Sequence, residues 1–200
     1  MAKPLLFLDV DGVLNPAAPC PGTDFDAHTL LGFRVLLSAR HGDWLRELAE
    51  AYELCWATTW EEDANTHVAP VLGLPPLPVV RFAGDKPQPG DPRMRLMELF
   101  SGAKWAPLLR HAGGRPFAWV DDVMPFRLVR NSLVRRDRLL LPIDAAQGLE
   151  RHHVDRLLEK PPRPRRLAVA ASRLHRTART GAAHHAEDPE QAGRASVGSP

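Results

Sequence analysis

The chain has 200 residues, 44% of them hydrophobic and 25% charged, with a formal net charge of +2. That balance excludes a wholly disordered polymer and suits one domain with a real core. The charge is uneven: residues 161–200 hold seven Arg, no Lys and three acidic residues, which leaves 19 basic against 21 acidic residues before them, a body unlike a nucleic-acid-binding surface.

The chain opens with "LLFLDVDGVLN". The run Leu5 to Leu8 is too short for a membrane span, and Asp9 interrupts it before a signal-peptide core of normal length. It reads as a buried strand. A cytoplasmic location, with no membrane association, is the expectation. Side chains alternate on a strand, so Asp9 and Asp11 leave one face at its carboxyl end. Two like charges there repel, and keeping both ionised needs a counter-charge, most simply a hard divalent cation. The competing reading is that Asp-Gly merely turns the chain at a strand end.

Asn15 to Thr23 is a Pro-rich loop, and "FRVLLSARHG" suits a short strand or hairpin arm. In "DWLRELAEAY" Trp44, Leu45, Leu48, Ala49 and Tyr52 fall at helical spacing, with Asp43 as the expected cap. Glu53 to Thr58 reads as a second buried strand. "WEEDANTHVAPVLGL" reads as a helix ended by Gly73. Pro75 to Pro92 is mostly loop, with one strand expected at "LPVVRF". "RMRLMELFSGAKWAPLLRHAGG" supplies helix, "RPFAWVDD" an apolar strand ending in paired carboxylates, "RDRLLLPID" a last strand, and "GLERHHVDRLLEK" a last amphipathic helix.

Strands alternating with helices, several of them apolar throughout, predict an α/β fold: a parallel central sheet with helices on both faces. Residues 1–160 are the expected domain and residues 161–200, rich in Arg, Pro and Ala, a disordered tail. Cys20 and Cys55 have no metal-site or CxxC spacing. His152 and His153 are adjacent on a helix and so do not share a face as metal ligands.

Ligand sites of open parallel sheets lie outside the carboxyl ends of the strands. Three of the expected strands end in polar groups: Asp9 and Asp11, Thr58 and Thr59, Asp121 and Asp122. Two acidic pairs around one spot favour a bound Mg²⁺ with oxygen ligands.

The ordered set of "DVDG", a hydroxyl after an apolar strand, a lysine, and "DD" after another apolar strand resembles the haloacid dehalogenase-like (HAD) superfamily. Within it the chain is similar to small HAD-domain proteins with "FLDVDGVLN", "WATxWEEDAN" and "AWVDD" signatures. The resemblance spans Leu5 to Asp122 and implies a three-layer Rossmannoid fold. It implies that Asp9 is the nucleophile of a phosphohydrolase, forming an aspartyl-phosphate. Asp11 would be acid and then base, with its backbone carbonyl on the metal. The second aspartate and the metal favour phosphoryl chemistry over dehalogenation.

Thr59-Trp60-Glu61-Glu62 fits a capping box, which makes Thr59 the expected helix cap and leaves Thr58 to bind phosphate. Lys104 and Lys86 compete for the cation that neutralises the phosphoryl oxygens; Lys104 stands just before the "FAWVDD" strand, where the family's lysine belongs. Asp121 would be the direct metal ligand, and Asp122 a water-mediated one or an orienter of Lys104. The expected metal set is thus Asp9, Asp11, Asp121 and Asp122. Of the tryptophans, Trp60 is the one that also suits a place at the site.

Asn15 to Asp43 and Leu74 to Gly102 are too short for a full cap domain, so the resemblance implies a minimal flap or hairpin and an open site. The substrate expected is phosphorylated, a small molecule or, by analogy with HAD domains in RNA repair, a nucleic-acid end. The alternative is a non-catalytic HAD-fold module that touches a polyanion through its basic tail.

Overall fold

The computed structural model describes residues 2–19, 23–82 and 102–164. Cys20, Lys86, the expected helical stretch Arg93 to Phe100 and nearly all of the 161–200 tail lie outside these residues. Strand β1 (Leu5–Leu8) leads to the hairpin β2 (Asp26–Leu30) and β3 (Phe33–Leu37), helix α1 (Ala39–Ala51) and strand β4 (Glu53–Trp56). A π-helical turn (Ala64–Val68) runs into the short α2 (Ala69–Val71). Then follow α3 (Gly102–Ala112), β5 (Phe117–Asp121), α4 (Phe126–Ser132), β6 (Arg138–Pro142) and α5 (Arg151–Glu159).

The four apolar strands pair in parallel in the order β4-β1-β5-β6, flanked by helices, as expected of an α/β chain. β1 is buried along its whole length, which is why it reads as a continuous apolar run and not an alternating one. Its side chains divide between two cores. Leu6 and Leu8 join Leu45 and Leu48 of α1 and Val154 and Leu157 of α5. Leu5 and Phe7 join Leu108 and Ala112 of α3 with Phe117 and Trp119 of β5. Each such side chain contributes about 1.5–3 kcal/mol when fully buried. The three-layer order is therefore written in the period-two alternation of the strands.

Several local expectations are corrected. α1 begins at Ala39, four residues before Asp43, because Ser38 is extended and its hydroxyl accepts from Arg40 N at 3.3 Å. Asp43 sits inside the helix and pairs with Arg46. Gly42 is needed there: a Cβ would lie 2.1 Å from the Leu72 carbonyl oxygen. The "LPVVRF" segment forms no strand but a single bridge from Val79 to Trp56, since its neighbours Pro75, Pro76 and Pro78 offer no N–H to a ladder. The hairpin β2–β3 stands where a minimal flap was expected, between β1 and α1. Among the described residues no helix is long and apolar enough to cross a membrane.

Candidate active site at the strand ends

β1 is the switch point of the sheet. The chain leaves it to form β4 on one side and returns to form β5 on the other, so a crevice opens at its carboxyl end. The ladder continues just past the strands, with Asp9 N donating to Val120 O at 3.2 Å and Ala57 N to Leu8 O at 2.7 Å. Asp9, Thr58 and Asp121 are thereby delivered to neighbouring positions, all buried.

Lys104, on α3, ties the two sides together. Its Nζ donates to Asp9 Oδ2 and, at 2.7 Å, to Asp121 Oδ2. Burial works against the lysine's charge, but the adjacent Asp9 and Asp121 carboxylates outweigh it and hold its pKa above the ordinary value. Asp121 is fully enclosed: Oδ2 also accepts from Trp119 Nε1 at 3.2 Å, and Oδ1 from Val123 N at 2.9 Å. The contact that orients Lys104 thus comes from Asp121 and not from Asp122.

Asp122 completes a group with Asp9 and Asp121 in which one carboxylate oxygen from each lies within 4.8 Å of the other two. Burial first, and the Asp9 charge second, push Asp121 up to about 8 and Asp122 upward as well. One lysine does not balance three carboxylates, and the Asp9 charge adds to burial in raising both groups. A set of close, partly desolvated carboxylate oxygens lacking positive charge suits a hard divalent cation. The residues therefore fit Mg²⁺.

Asp11 points elsewhere. It is exposed and outside the carboxylate group; its Oδ1 accepts from Asn15 Nδ2 and its Oδ2 from Trp60 Nε1, both at 2.8 Å. Gly12 follows at φ 71°, and a Cβ there would lie 2.4 Å from Asp122 Cγ. The glycine lets the loop after β1 pass close against Asp122 in the loop after β5.

The threonines exchange one expected role. It is the Thr58 hydroxyl that accepts from Trp60 N, at 3.4 Å, while Thr59 is exposed. A capping box at Thr59 fails because Glu61 adopts φ 48°, outside helical geometry, and its carboxylate accepts from Phe82 N at 3.2 Å. The helical turns start only after it. Thr58 Oγ keeps its own proton for another acceptor.

Asn15 and Arg34 were not singled out from the sequence. Asn15 stands in the "LLFLDVDGVLN" stretch, but its Oδ1 accepts from Leu36 N at 2.8 Å, in a segment whose placement only the fold reveals. His153 accepts from Glu150 N at 3.0 Å in a capping box, so one of its ring nitrogens is engaged in holding α5.

A family model described as the HAD domain in Swiss Army Knife RNA repair proteins matches residues 5–154. No curated protein and no solved structure matches the chain.

Proposed function

The chain belongs to the family of HAD domains found in Swiss Army Knife RNA repair proteins and is a HAD-like hydrolase with an α/β fold; from this premise we propose that it is a Mg²⁺-dependent phosphohydrolase working through an aspartyl-phosphate at Asp9. The observation that carries the proposal is Lys104 bridging Asp9 and Asp121 beside Asp122, at the switch point of the sheet.

In this reading Asp9 forms a bond from a carboxylate oxygen to phosphorus as the bond from phosphorus to the ester oxygen breaks. Asp11 gives its proton to that departing oxygen. It then takes a proton from the water that attacks the phosphoryl group, releasing inorganic phosphate and restoring Asp9. Asn15 and Trp60 hold one N–H on each Asp11 oxygen, which fixes the carboxylate while leaving a lone pair on each for the transferred proton. Lys104 aims Asp9 and offers positive charge to the phosphoryl oxygens. Thr58 donates its hydroxyl proton to one of them. Asp9, Asp121 and Asp122 would hold Mg²⁺, with the Asp11 carbonyl as a further ligand; bound there, the ion neutralises charge on the transferring group.

We place the substrate among phosphorylated ends of nucleic acids, a class supported by the description of the family. The test is hydrolysis of p-nitrophenyl phosphate, phosphorylated metabolites and 5′- and 3′-phosphorylated oligonucleotides, with Mg²⁺ or EDTA. Metal-dependent release of phosphate, greatest on oligonucleotide ends, supports the reading; equal turnover in EDTA contradicts it.

A further inference from the structure

A cavity of about 310 Å³ opens beside Asp11, between the loop after β1 and the hairpin. Gly12, Asn15, Pro16, Arg34 and Leu36 share its wall with Asp11. Its volume lies at the small end of the range for small-molecule sites, about 300–1,000 Å³. The alternation of β3 explains which residues line it. Val35 and Leu37 face the core, so Arg34 and Leu36 face the other way, into the cavity.

Asn15 fixes the hairpin against the catalytic loop. Its Oδ1 accepts from Leu36 N at 2.8 Å while its Nδ2 donates to Asp11. Any group in the cavity is thus held in register with Asp11. Arg34 is the only basic side chain in the wall, is exposed, and has no ion-pair partner among the described residues.

Resting on the phosphohydrolase reading, we propose that this cavity receives the leaving group, and that Arg34 selects a leaving group carrying a phosphoryl anion of its own. The transferred phosphoryl group belongs with Asp9, Lys104 and Thr58, while Asp11, which protonates the departing oxygen, stands in the wall of the cavity. The remainder of the substrate therefore extends past Asp11 toward β3. There the Arg34 guanidinium, unpaired among the described residues, matches a phosphate or phosphodiester through paired N–H donors. The second anion has two chemical sources: the next phosphodiester of an oligonucleotide, or a second phosphate on a small molecule.

The experiment compares wild type, Arg34→Ala, Arg34→Lys and the distant charge control Arg156→Ala. Substrates are p-nitrophenyl phosphate, a 5′-phosphorylated dinucleotide and a nucleoside 3′,5′-bisphosphate. We expect Arg34→Ala to lower the preference, in kcat/KM, for the two-anion substrates over p-nitrophenyl phosphate by about tenfold. Arg34→Lys restores part of it, and Arg156→Ala leaves the preference as in wild type. A preference confined to the dinucleotide assigns the anion to the nucleic-acid strand; one shared with the bisphosphate assigns it to phosphate in general. An equal fall on all three substrates, or the same change in Arg156→Ala, overturns the proposal. Should none be turned over, the phosphohydrolase reading fails, and fluorescence titration with nucleoside bisphosphate against monophosphate decides the cavity separately. Tighter bisphosphate binding lost in Arg34→Ala sustains the Arg34 site, and equal binding of the two ligands overturns it.

Discussion

Asn15 binds Asp11 through its amide N–H and takes the backbone N–H of Leu36 on its carbonyl, so one side chain links the expected acid–base to the hairpin. In Asn15→Ala both bonds are lost. We expect kcat to fall about tenfold, more than KM rises, at about 0.5–1.5 kcal/mol per bond. Steady-state kinetics beside thermal unfolding provide the check, because a misplaced Asp11 lowers kcat in protein that is still folded, which a merely looser fold does not.

Gly12→Ala places a methyl group in left-handed backbone and against the Asp122 carboxylate. The backbone alone costs about 1 kcal/mol, and the clash adds to it. Thermal unfolding should show a lowered Tm, and metal-dependent activity should fall further than stability because Asp122 is displaced.

Lys104→Met removes the positive charge shared by Asp9 and Asp121. Breaking such a buried arrangement costs about 3–5 kcal/mol, and turnover should drop by more than a hundredfold. The loss also has a reverse side. A divalent cation then meets less repulsion, so Mg²⁺ should raise the Tm of Lys104→Met by more than that of wild type. Equal Mg²⁺ shifts in the two proteins would count against a cation beside Lys104.

Acid should destabilise the fold through two buried histidines. Burial, and then the neighbouring His152, lower His153 to about 4; burial, against an opposing Leu149 hydrogen bond, also lowers His41. Below their unfolded values near 6.5 the unfolded chain binds more protons than the native one, so stability falls with pH from about 6.5 toward 4. Above 6.5 both states are neutral and the effect vanishes. His153→Asn keeps an acceptor for Glu150 N and removes the titration. Its Tm should therefore decline less between pH 7 and pH 5.

The strand ends were legible because burial and chemistry share one short signature: apolar runs that finish in Asp9, Thr58 and Asp121. Period-two alternation and a carboxylate where a core strand stops are local facts of sequence. What stayed hidden depended on contacts between distant segments. The start of α1 rested on an extended Ser38, the failed box at Thr59 on a left-handed Glu61 tied to Phe82, and the expected strand near Val79 on a proline-interrupted approach to Trp56. β2 and α4 carry weak patterns, with β2 mostly exposed, so no apolar run announced them. Asn15 and Arg34 are ordinary polar residues until the hairpin folds back over the loop after β1.

The central claim, a covalent phosphoryl group on Asp9, is met most directly with Asp11→Asn and p-nitrophenyl phosphate in Mg²⁺. Its leaving group departs without help from an acid, so the first step survives while the water step stalls. The account predicts a burst of one p-nitrophenolate per protein, and a hydroxylamine-sensitive phosphoryl adduct on the peptide carrying Asp9, absent in Asp9→Asn. Turnover in Asp9→Asn comparable to wild type, with no adduct in Asp11→Asn, would contradict it.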